Sequence, residues 1–579
     1  MIPLIFILVY LLLIAFISSF AFRKGKSNTE DFFLASRTIG PMVFFLSLFA
    51  TNMTAFAILG SSGMANRQGI GVFGLMASSS CFVIPLTIFF IGTRLWAIGK
   101  KFGHMTQVSY FRDRWESSGL GTLLFSLMAA MLIPYMIISI MGGGRVLADI
   151  SAKTDENNKV IMHQVLKPDG SPVMAPVPVM ENGKPVMAPV LDKAGAPVLK
   201  DGKPEMAPKT ELKPKMEAES YVSYWMGCLI VALVVTVSVF FGGMRGTVWV
   251  NVFQTIMFLL FGVVALYVIS SHLEHGFGFY IKQIAENEKT RFLVTRENMD
   301  PAFFWSYTLV PLSSIMFPHM AIMCLSANKV TAFKRTVVLY PFAIMALWLP
   351  AVFLGVLASK IVVGQGEPDG VLLRMLGEHA PVWLAGLLGA GIISTVIGSD
   401  AHQVLALSTM FTKDIYEHFG GAKKYGERGA VIFARAFIVI VTVFAYIVAL
   451  MTTASIFELA VRFAFSGFAA LAPIMIAALF WKRSTKAGAI ASTLWVALCL
   501  VVQIVLQFKY ESGAIQKGAV LLGSDTLKIF FIHAKSGALL FWNGFLPVFP
   551  MVVGSAILMI VVSLVTRPPS EATIKKYVE

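Results

Sequence analysis

What most constrains this chain is how often it repeats an apolar run long enough to cross a bilayer. Roughly 20 consecutive apolar residues span the hydrocarbon core, and runs of that kind recur from residue 2 to residue 566. Of the 579 residues, 57% are hydrophobic and only 14% carry charge. Hydrocarbon leaves unpaired backbone groups unsatisfied, so such runs must be helices, and the chain reads as an all-α polytopic membrane protein. A net charge of +15 does not point to nucleic acid. Lys and Arg collect in short loops between the runs, where positive-inside bias accounts for them. Cys81, Cys228, Cys324 and Cys499 lie within apolar segments and read as small buried residues rather than a disulfide framework or metal site.

In chain order, residues 2–22 form a first span. No basic n-region or small-residue cleavage site precedes it, so it reads as an uncleaved helix. Arg23, Lys24, Lys26 and Arg37 mark the next loop as cytoplasmic and leave the N-terminus outside. Further spans fall near 40–65, 70–98, 118–150, 221–241, 247–270, 302–326, 333–359, 381–412, 428–452, 455–481, 486–507 and 541–566. With about thirteen spans, the basic clusters Lys329–Arg335, Lys413–Arg428, Lys482–Lys486 and Arg567–Lys576 share one side, and the C-terminus is cytoplasmic. The external loops 271–300 and 508–540 are long enough for short surface helices.

Residues 152–220 differ in kind. They are rich in Pro and Lys and repeat a phrase: PVMAPV at 172–177 and 185–190, PEMAPK at 204–209. Too little apolar surface is present to offset ordering entropy, so an extended, mobile external insert is expected. A spacer role and a partner-binding or envelope-tether role both remain open.

Within the second span, Ser47–Gly63 carries Thr51, Asn52, Thr54, Ser61, Ser62 and two glycines. Such polarity at membrane depth faces other protein or a water-filled cavity. Close helix packing through small residues is one reading. The other is an unwound point whose carbonyls can bind a cation. Setting the first span aside, spans two to six and seven to eleven make two sets of five. An odd number per set inverts the second copy, so helices two and seven would be the paired broken ones. Pro311, Ser313, Ser314, Pro318 and His319 interrupt span seven. Asp400 is an ionisable residue at membrane depth, which is costly and usually functional. It has His402 beside it as a possible partner.

Several phrases in order resemble those of the sodium/solute symporters, the family of sodium/glucose, sodium/proline and sodium/pantothenate cotransporters. They are EDFFLASRTIGP at Glu30–Pro41, Lys101-Phe102-Gly103 through Arg112, FFGGMRGTVWVNVFQ at Phe240–Gln254 and Asp414-Ile415-Tyr416. Gly467, Pro473, Trp481-Lys482-Arg483 and Gly488 complete the set. The resemblance covers the chain apart from 152–220. It implies a LeuT-like 5+5 inverted repeat and Na⁺-coupled symport of a small organic solute by alternating access, in a multi-pass protein of the inner or plasma membrane. The first repeat then covers 40–151 and 221–270, and the second covers 302–485. Residues 1–39 and 486–579 flank them.

In that family one sodium sits between helices two and nine. The main-chain ligands map onto Ala50 and Met53. Anchoring helix nine on Thr412–Tyr416 maps a carbonyl ligand onto Thr395 and two hydroxyl ligands onto Gly398 and Ser399. Gly398 has no hydroxyl, a loss that water, Thr395 or Asp400 could offset. Asn251 stands where the family commonly has Asp, and Asp400 would supply the charge that Asn251 lacks; alternatively it pairs with His402 or caps a local break. The solute would lie beside the ion, walled by Thr51, Asn52 and Thr54, by Ser78, Ser79 and Ser80, and by Ser313, Ser314 and His319. That short, mostly neutral lining suits a monocarboxylate, amino acid, vitamin or sugar. Glu458 and Arg462, four apart, read as a structural ion pair. Proton-coupled or uncoupled carriage and a transporter-like solute sensor are the alternatives. A membrane enzyme is disfavoured, since no metal-ligand cluster, nucleophile motif or phosphate loop is evident.

Overall fold

A computed structural model describes residues 2–23, 28–54, 56–153, short strand pieces between 162 and 218, 219–288, 290–297, 299–361, 370–452, 464–511, 515, 518–524, 528–532 and 539–578. Two units result, residues 1–150 with 224–579, and residues 151–223. Glu458 and Arg462 fall outside the described residues.

The larger unit is helical. It begins with α1 (Ile2–Arg23), the short α2 (Thr29–Leu34) and α3 (Pro41–Asn52). A π-helical turn at Phe56–Gly60 leads into α4 (Ser61–Gln68). Then come α5 (Gly71–Thr87), α6 (Thr93–Phe102), α7 (Gln107–Arg114), α8 (Ser118–Ile150), α9 (Tyr224–His272) and α10 (Gly276–Glu286). The second half has α11 (Pro301–Tyr307), α12 (Ser313–Met316), α13 (Pro318–Leu325), α14 (Thr331–Ile361), α15 (Val371–His379), α16 (Val382–Met410) and α17 (Gly421–Met451). Helices Ser466–Phe480, Lys486–Glu511, Val548–Val565 and Glu571–Tyr577 follow.

Among the described residues, eight helices are long and apolar enough to cross a bilayer, and two further spans are bent pairs. The bends fall in the expected helices. α3 meets the Phe56–Gln68 segment at 61°, and Pro301–Met316 meets α13 at 50°. The second break has a local cause. Pro318 cannot supply the N–H that would continue α12, and the residue before a proline is driven from helical geometry; Phe317 sits at φ −58, ψ 126. α9 holds 49 residues, about 74 Å at 1.5 Å per residue, far more than one crossing needs. Gly243 divides it with φ +49, a left-handed conformation. A side chain there would also meet the Phe32 carbonyl at 2.8 Å, so glycine alone suits the position.

Burial orders the helices. The apolar window of α16 is 73% enclosed, whereas that of Lys424–Met451 is 28% enclosed and shows Ile440, Val443, Phe444 and Ile447 outward. That pattern places α16 in the core and α17 at the rim. Small residues let the core close up. A Cβ on Gly144 would lie 2.3 Å from Cys228 Sγ, and one on Gly355 would lie 2.3 Å from the Ser62 carbonyl oxygen. Here polarity and glycine at depth do serve helix packing.

One end of the bundle is tied by charge. Arg37 donates to the Leu325 and His104 carbonyls (3.1 and 2.9 Å), and Asp31 pairs with Arg245 at 2.6 Å. Thr106 donates to the Asp414 carboxylate at 2.8 Å, and Arg112 donates to the Asp414 carbonyl at 2.7 Å. The Glu571–Tyr577 helix closes over this loop. Its Tyr577 hydroxyl donates to Asp113 at 3.1 Å and lies 3.3 Å from His104 Nε2, and Arg94 donates to the Val578 carbonyl at 2.8 Å.

Two expectations for the loops change. Segment 271–300 does carry α10 and a short 3₁₀ turn, but the described part of 508–540 forms strands instead of helices. Val520–Gly523, Lys528–Ile532 and Leu539–Phe541 make a three-stranded antiparallel sheet. Phe530, Phe531 and Ile532 are β-branched or aromatic, which favours a half-buried strand. In the smaller unit the described pieces are paired and not merely extended. The repeated Met-Ala-Pro meets itself, with Ala188 opposite Ala207.

Gly355→Val should cost about 1–3 kcal/mol by overpacking and lower the melting temperature in detergent. Gly377→Ala is the control, since a Cβ there meets nothing within 4 Å. The His104 imidazole is held below its ordinary value chiefly by burial, with Asp113 opposing and Lys576 and Arg37 adding to the shift. A base with a lowered folded pKa loses its stabilising contribution as pH falls through that value. Protection from hydrogen exchange across residues 571–577, after correction for the intrinsic slowing of exchange in acid, should therefore weaken as pH falls below about 6.5, and His104→Gln should flatten the dependence.

Candidate functional site

The site grows from the end of α3. Its last hydrogen bonds run from Met53 N–H to the Phe49 and Ala50 carbonyls, both 3.1 Å, and Met53 itself is extended at φ −95, ψ 115. The helix therefore stops in the bundle interior, where Ala50 and Met53 are 1% and 2% exposed. Beyond this point the helix supplies no further N–H to the carbonyls, although that of Ala50 still accepts from Met53. Directly opposite lies α16. Ser399 Oγ donates to the Thr51 carbonyl at 3.2 Å and accepts from Gln403 Nε2 at 2.8 Å. Thr395 lies on α16 one turn earlier.

Gly398 also has a structural answer. A Cβ placed on it would lie 2.0 Å from Gln254 Oε1 and 2.6 Å from Asn251 Oδ1. Two amide oxygens of α9 thus crowd the space where a hydroxyl residue would stand. Neither has a hydrogen-bond partner among the described residues. Asn251 Nδ2 donates to Thr51 Oγ1 at 3.1 Å and approaches the Ser47 carbonyl at 3.4 Å and His402 Nδ1 at 2.9 Å. Asp400 is fully buried, and both its carboxylate oxygens lack a partner among the described residues. His402 is engaged with Asn251, not with Asp400.

Orphaned, buried oxygens are expensive unless something pairs with them. Carbonyl, amide and hydroxyl oxygens together form a hard donor set, the type that suits a hard cation. Among the described residues no cluster of three His, Cys, Asp or Glu side chains could hold a metal ion.

A cavity adjoins this region and shares Asn52 and Met53 with it. Asn52 Nδ2 donates to Tyr340 at 2.7 Å, and Ser314 Oγ reaches Asn52 Oδ1 at 3.5 Å, joining the two broken helices. Ser80, Ser313 and Ser314 also line the cavity, with Phe56, Tyr307, Phe317, Trp348 and Phe465. Four of the other expected positions lie elsewhere. Thr51 Oγ1 is bonded to the Ser47 carbonyl, Thr54 Oγ1 accepts from Phe56 N–H, and Ser79 Oγ bonds to the Leu75 carbonyl. His319 is buried behind Phe317, stacked on it at 5.0 Å and beside Tyr135.

Sequence reasoning missed Gln254 and Gln403 near Ser399, and every aromatic wall of the cavity. Asn251 and Gln254, three apart in an apolar helix, share a face, and that spacing was the available signal. The aromatic residues gave none, because a ring in an apolar helix faces lipid as readily as a cavity.

Comparison with known proteins agrees with this architecture. The sodium:solute symporter family model matches residues 32–154 and 217–496. An uncharacterized symporter, YhjB, of Bacillus subtilis is 24% identical over 68% of this chain and 67% of its own length. The sodium/pantothenate symporter of Escherichia coli is 21% identical over 70% and 71%. Sodium/proline symporter 2 of Staphylococcus saprophyticus is 22% identical over 86% of each. Among solved structures, a Na⁺-coupled sialic acid symporter in a substrate-bound outward-open state aligns with TM-score 0.68 at 12% identity, over 99% of both chains. Mhp1, a nucleobase-cation-symport-1 family transporter, aligns with TM-score 0.50 at 11% identity, over 94% of this chain and 97% of its own. The fold is that of the LeuT-like Na⁺ symporters, Na⁺ is the coupling ion, and the chain is a multi-pass plasma-membrane protein. On the extent of the family match, this chain belongs to the sodium:solute symporter family.

Proposed function

We propose that the chain carries a small organic solute inward with Na⁺, and that the ion settles where α3 breaks against α16. The observation that carries this reading is the contact between Ser399 Oγ and the Thr51 carbonyl at 3.2 Å. It brings the unwound end of one repeat to a hydroxyl on a deeply enclosed helix of the other. The ion's ligands are the Ala50 and Met53 carbonyls, a Thr395 carbonyl and Ser399 Oγ. The amide oxygens of Asn251 and Gln254 offset the hydroxyl that Gly398 lacks.

Binding there links α3 to α16, so the ion favours one arrangement of the two repeats over the other. A ligand shifts a two-state equilibrium only by its differential affinity for the states. The solute occupies the neighbouring cavity, touching Asn52, Ser313 and Ser314, and Met53 belongs to both sites. Relatives named for proline and for pantothenate support a small organic solute. Thr51, Thr54, Ser79 and His319 then shape the site from behind. Asp400 acts in coupling: buried without a partner, it supplies negative charge near the cation where Asn251 is neutral. A proton that moves along with Na⁺ is the second reading, and it rests on the same unpartnered carboxylate.

Uptake into proteoliposomes with and without an inward Na⁺ gradient tests the reading. Accumulation should require the gradient, and Ser399→Ala should raise the half-saturating Na⁺ concentration about tenfold, the equivalent of 1.4 kcal/mol. Asp400→Asn should weaken Na⁺ dependence. An unchanged Na⁺ curve in that variant would remove Asp400 from coupling, and extra accumulation when a proton gradient is added to the Na⁺ gradient would favour the second reading. Gly398→Ser should not improve Na⁺ affinity, because Gln254 already fills the space. Paired with Gln254→Ala, it should recover much of the wild-type affinity.

A further inference from the structure

The two helix breaks of this bundle are closed by different means. At the first, the Thr51 carbonyl accepts from Ser399 of α16. At the second, the N–H of Met320 would reach the Met316 carbonyl if the helix were continuous. It turns instead to the Phe317 carbonyl, at 3.1 Å. A side chain from far along the chain takes up the Met316 carbonyl: Gln107 Nε2 donates to it at 2.8 Å. Gln107 is the first residue of α7 and is 1% exposed. The same nitrogen lies 3.1 Å from Met128 Sδ, and Gln107 Oε1 has no partner among the described residues. Packing alone would favour an apolar residue there, because a buried amide oxygen left unpaired is costly. What the glutamine adds is its bond to the broken helix.

α7 is fastened to the ion helix as well. Thr106, which caps α7, and Arg112 within it both hold Asp414. Asp414 lies in the π-helical turn Phe411–Glu417 that continues α16, about 22 Å beyond Ser399 at 1.5 Å per residue. Tyr110 and Arg114 of α7 donate to the Ala478 carbonyl at 2.8 and 3.0 Å. α7 thus joins the second break to a frame on the side that positive-inside bias makes cytoplasmic.

Resting on the symporter reading above, we infer that Gln107 is a positioning residue of the transport cycle: its amide pins the second break to α7, and release of the Met316 carbonyl is part of opening the cavity inward. The one-turn helix α12 carries Ser313 and Ser314, which line the cavity, and Met316, which holds the pin. Movement of that cavity wall therefore pulls on Gln107. Both breaks are closed in one arrangement, Thr51 on Ser399 and Met316 on Gln107. An ion at the first break and the amide at the second favour that same arrangement. Loss of the amide is then felt as weaker ion binding, since apparent affinity falls with the population of the state that binds.

The test uses the full chain in proteoliposomes and reads Cys324, a buried free thiol on α13. Its Sγ packs against Gly92, where an added Cβ would lie 3.1 Å away, so it becomes reachable when α13 parts from that turn. Labelling of the Cys324 peptide by N-ethylmaleimide is followed by mass spectrometry, in Na⁺ and in choline at equal ionic strength. Na⁺ should slow labelling of the wild-type chain. Gln107→Met keeps the length of the side chain and removes the donor. It should speed labelling in choline about tenfold, the loss of one hydrogen bond, and raise the half-saturating Na⁺ concentration by a similar factor. Saturating Na⁺ should restore the wild-type rate, which a merely loosened loop would not allow. Gln107→Asn, one methylene too short to reach Met316, gives the same readout if Gln107→Met does not fold. Labelling that stays at the wild-type rate in choline would overturn the inference and leave the symporter reading standing. So would faster labelling that Na⁺ fails to reverse while it still protects the wild-type chain. Na⁺ without effect on either Cys324 labelling or melting temperature of the wild-type chain would instead sink the symporter reading.

Discussion

Everything in this molecule depends on a helix that stops where hydrocarbon would forbid it. A main chain can unwind at membrane depth only where protein encloses it. α3 ends at Asn52, and α16, the most enclosed of the eight long helices, stands against the broken end with Ser399. The second broken pair, parted at Phe317, comes up beside the first, and Ser314 meets Asn52 across the gap. The small residues of the bundle serve this arrangement. Gly144 and Gly355 let neighbouring helices approach until a single methyl would collide.

Within this enclosure the polar groups are short of partners. Asn251, Gln254, Gln403 and Asp400 all keep at least one oxygen unpaired among the described residues. Protein interiors rarely tolerate that without a ligand, a water or a functional reason. A cation that takes several of these oxygens at once would turn a costly interior into a stable one. The amides and the hydroxyl span helices of both repeats, since α9 supplies Asn251 and Gln254 and α16 supplies Ser399. An ion held there is felt by both, which is the physical requirement for coupling.

Much of the architecture could be read from the residues, and the reasons are local. Thr51, Asn52 and Thr54 in an apolar run announce a break, and Pro318 forces another. Family phrases such as EDFFLASRTIGP place both in order. Ser399 follows from counting back from Asp414 along one helix. What could not be read is whatever depends on side chains from distant helices meeting. Gly398 looked like a lost ligand, and only the crossing of α9 and α16 reveals that Gln254 and Asn251 occupy its space. Trp348 and Phe465 carried no mark separating a cavity wall from a lipid-facing ring. The sheet at 520–541 was missed for a different reason: its strands are short, interrupted runs with no helical or strand period of useful length.

The proposed sodium ion lies between the broken end of α3 and Ser399. The most direct measurement is a high-resolution electron cryomicroscopy map of the purified protein in Na⁺, compared with one in choline at equal ionic strength. Ion density should stand within ligand distance of Ser399 Oγ and the carbonyls at Ala50 and Met53, present in Na⁺ and absent in choline. Identical maps in that region, or Na⁺-dependent density only at a position touching none of those three residues, would contradict it.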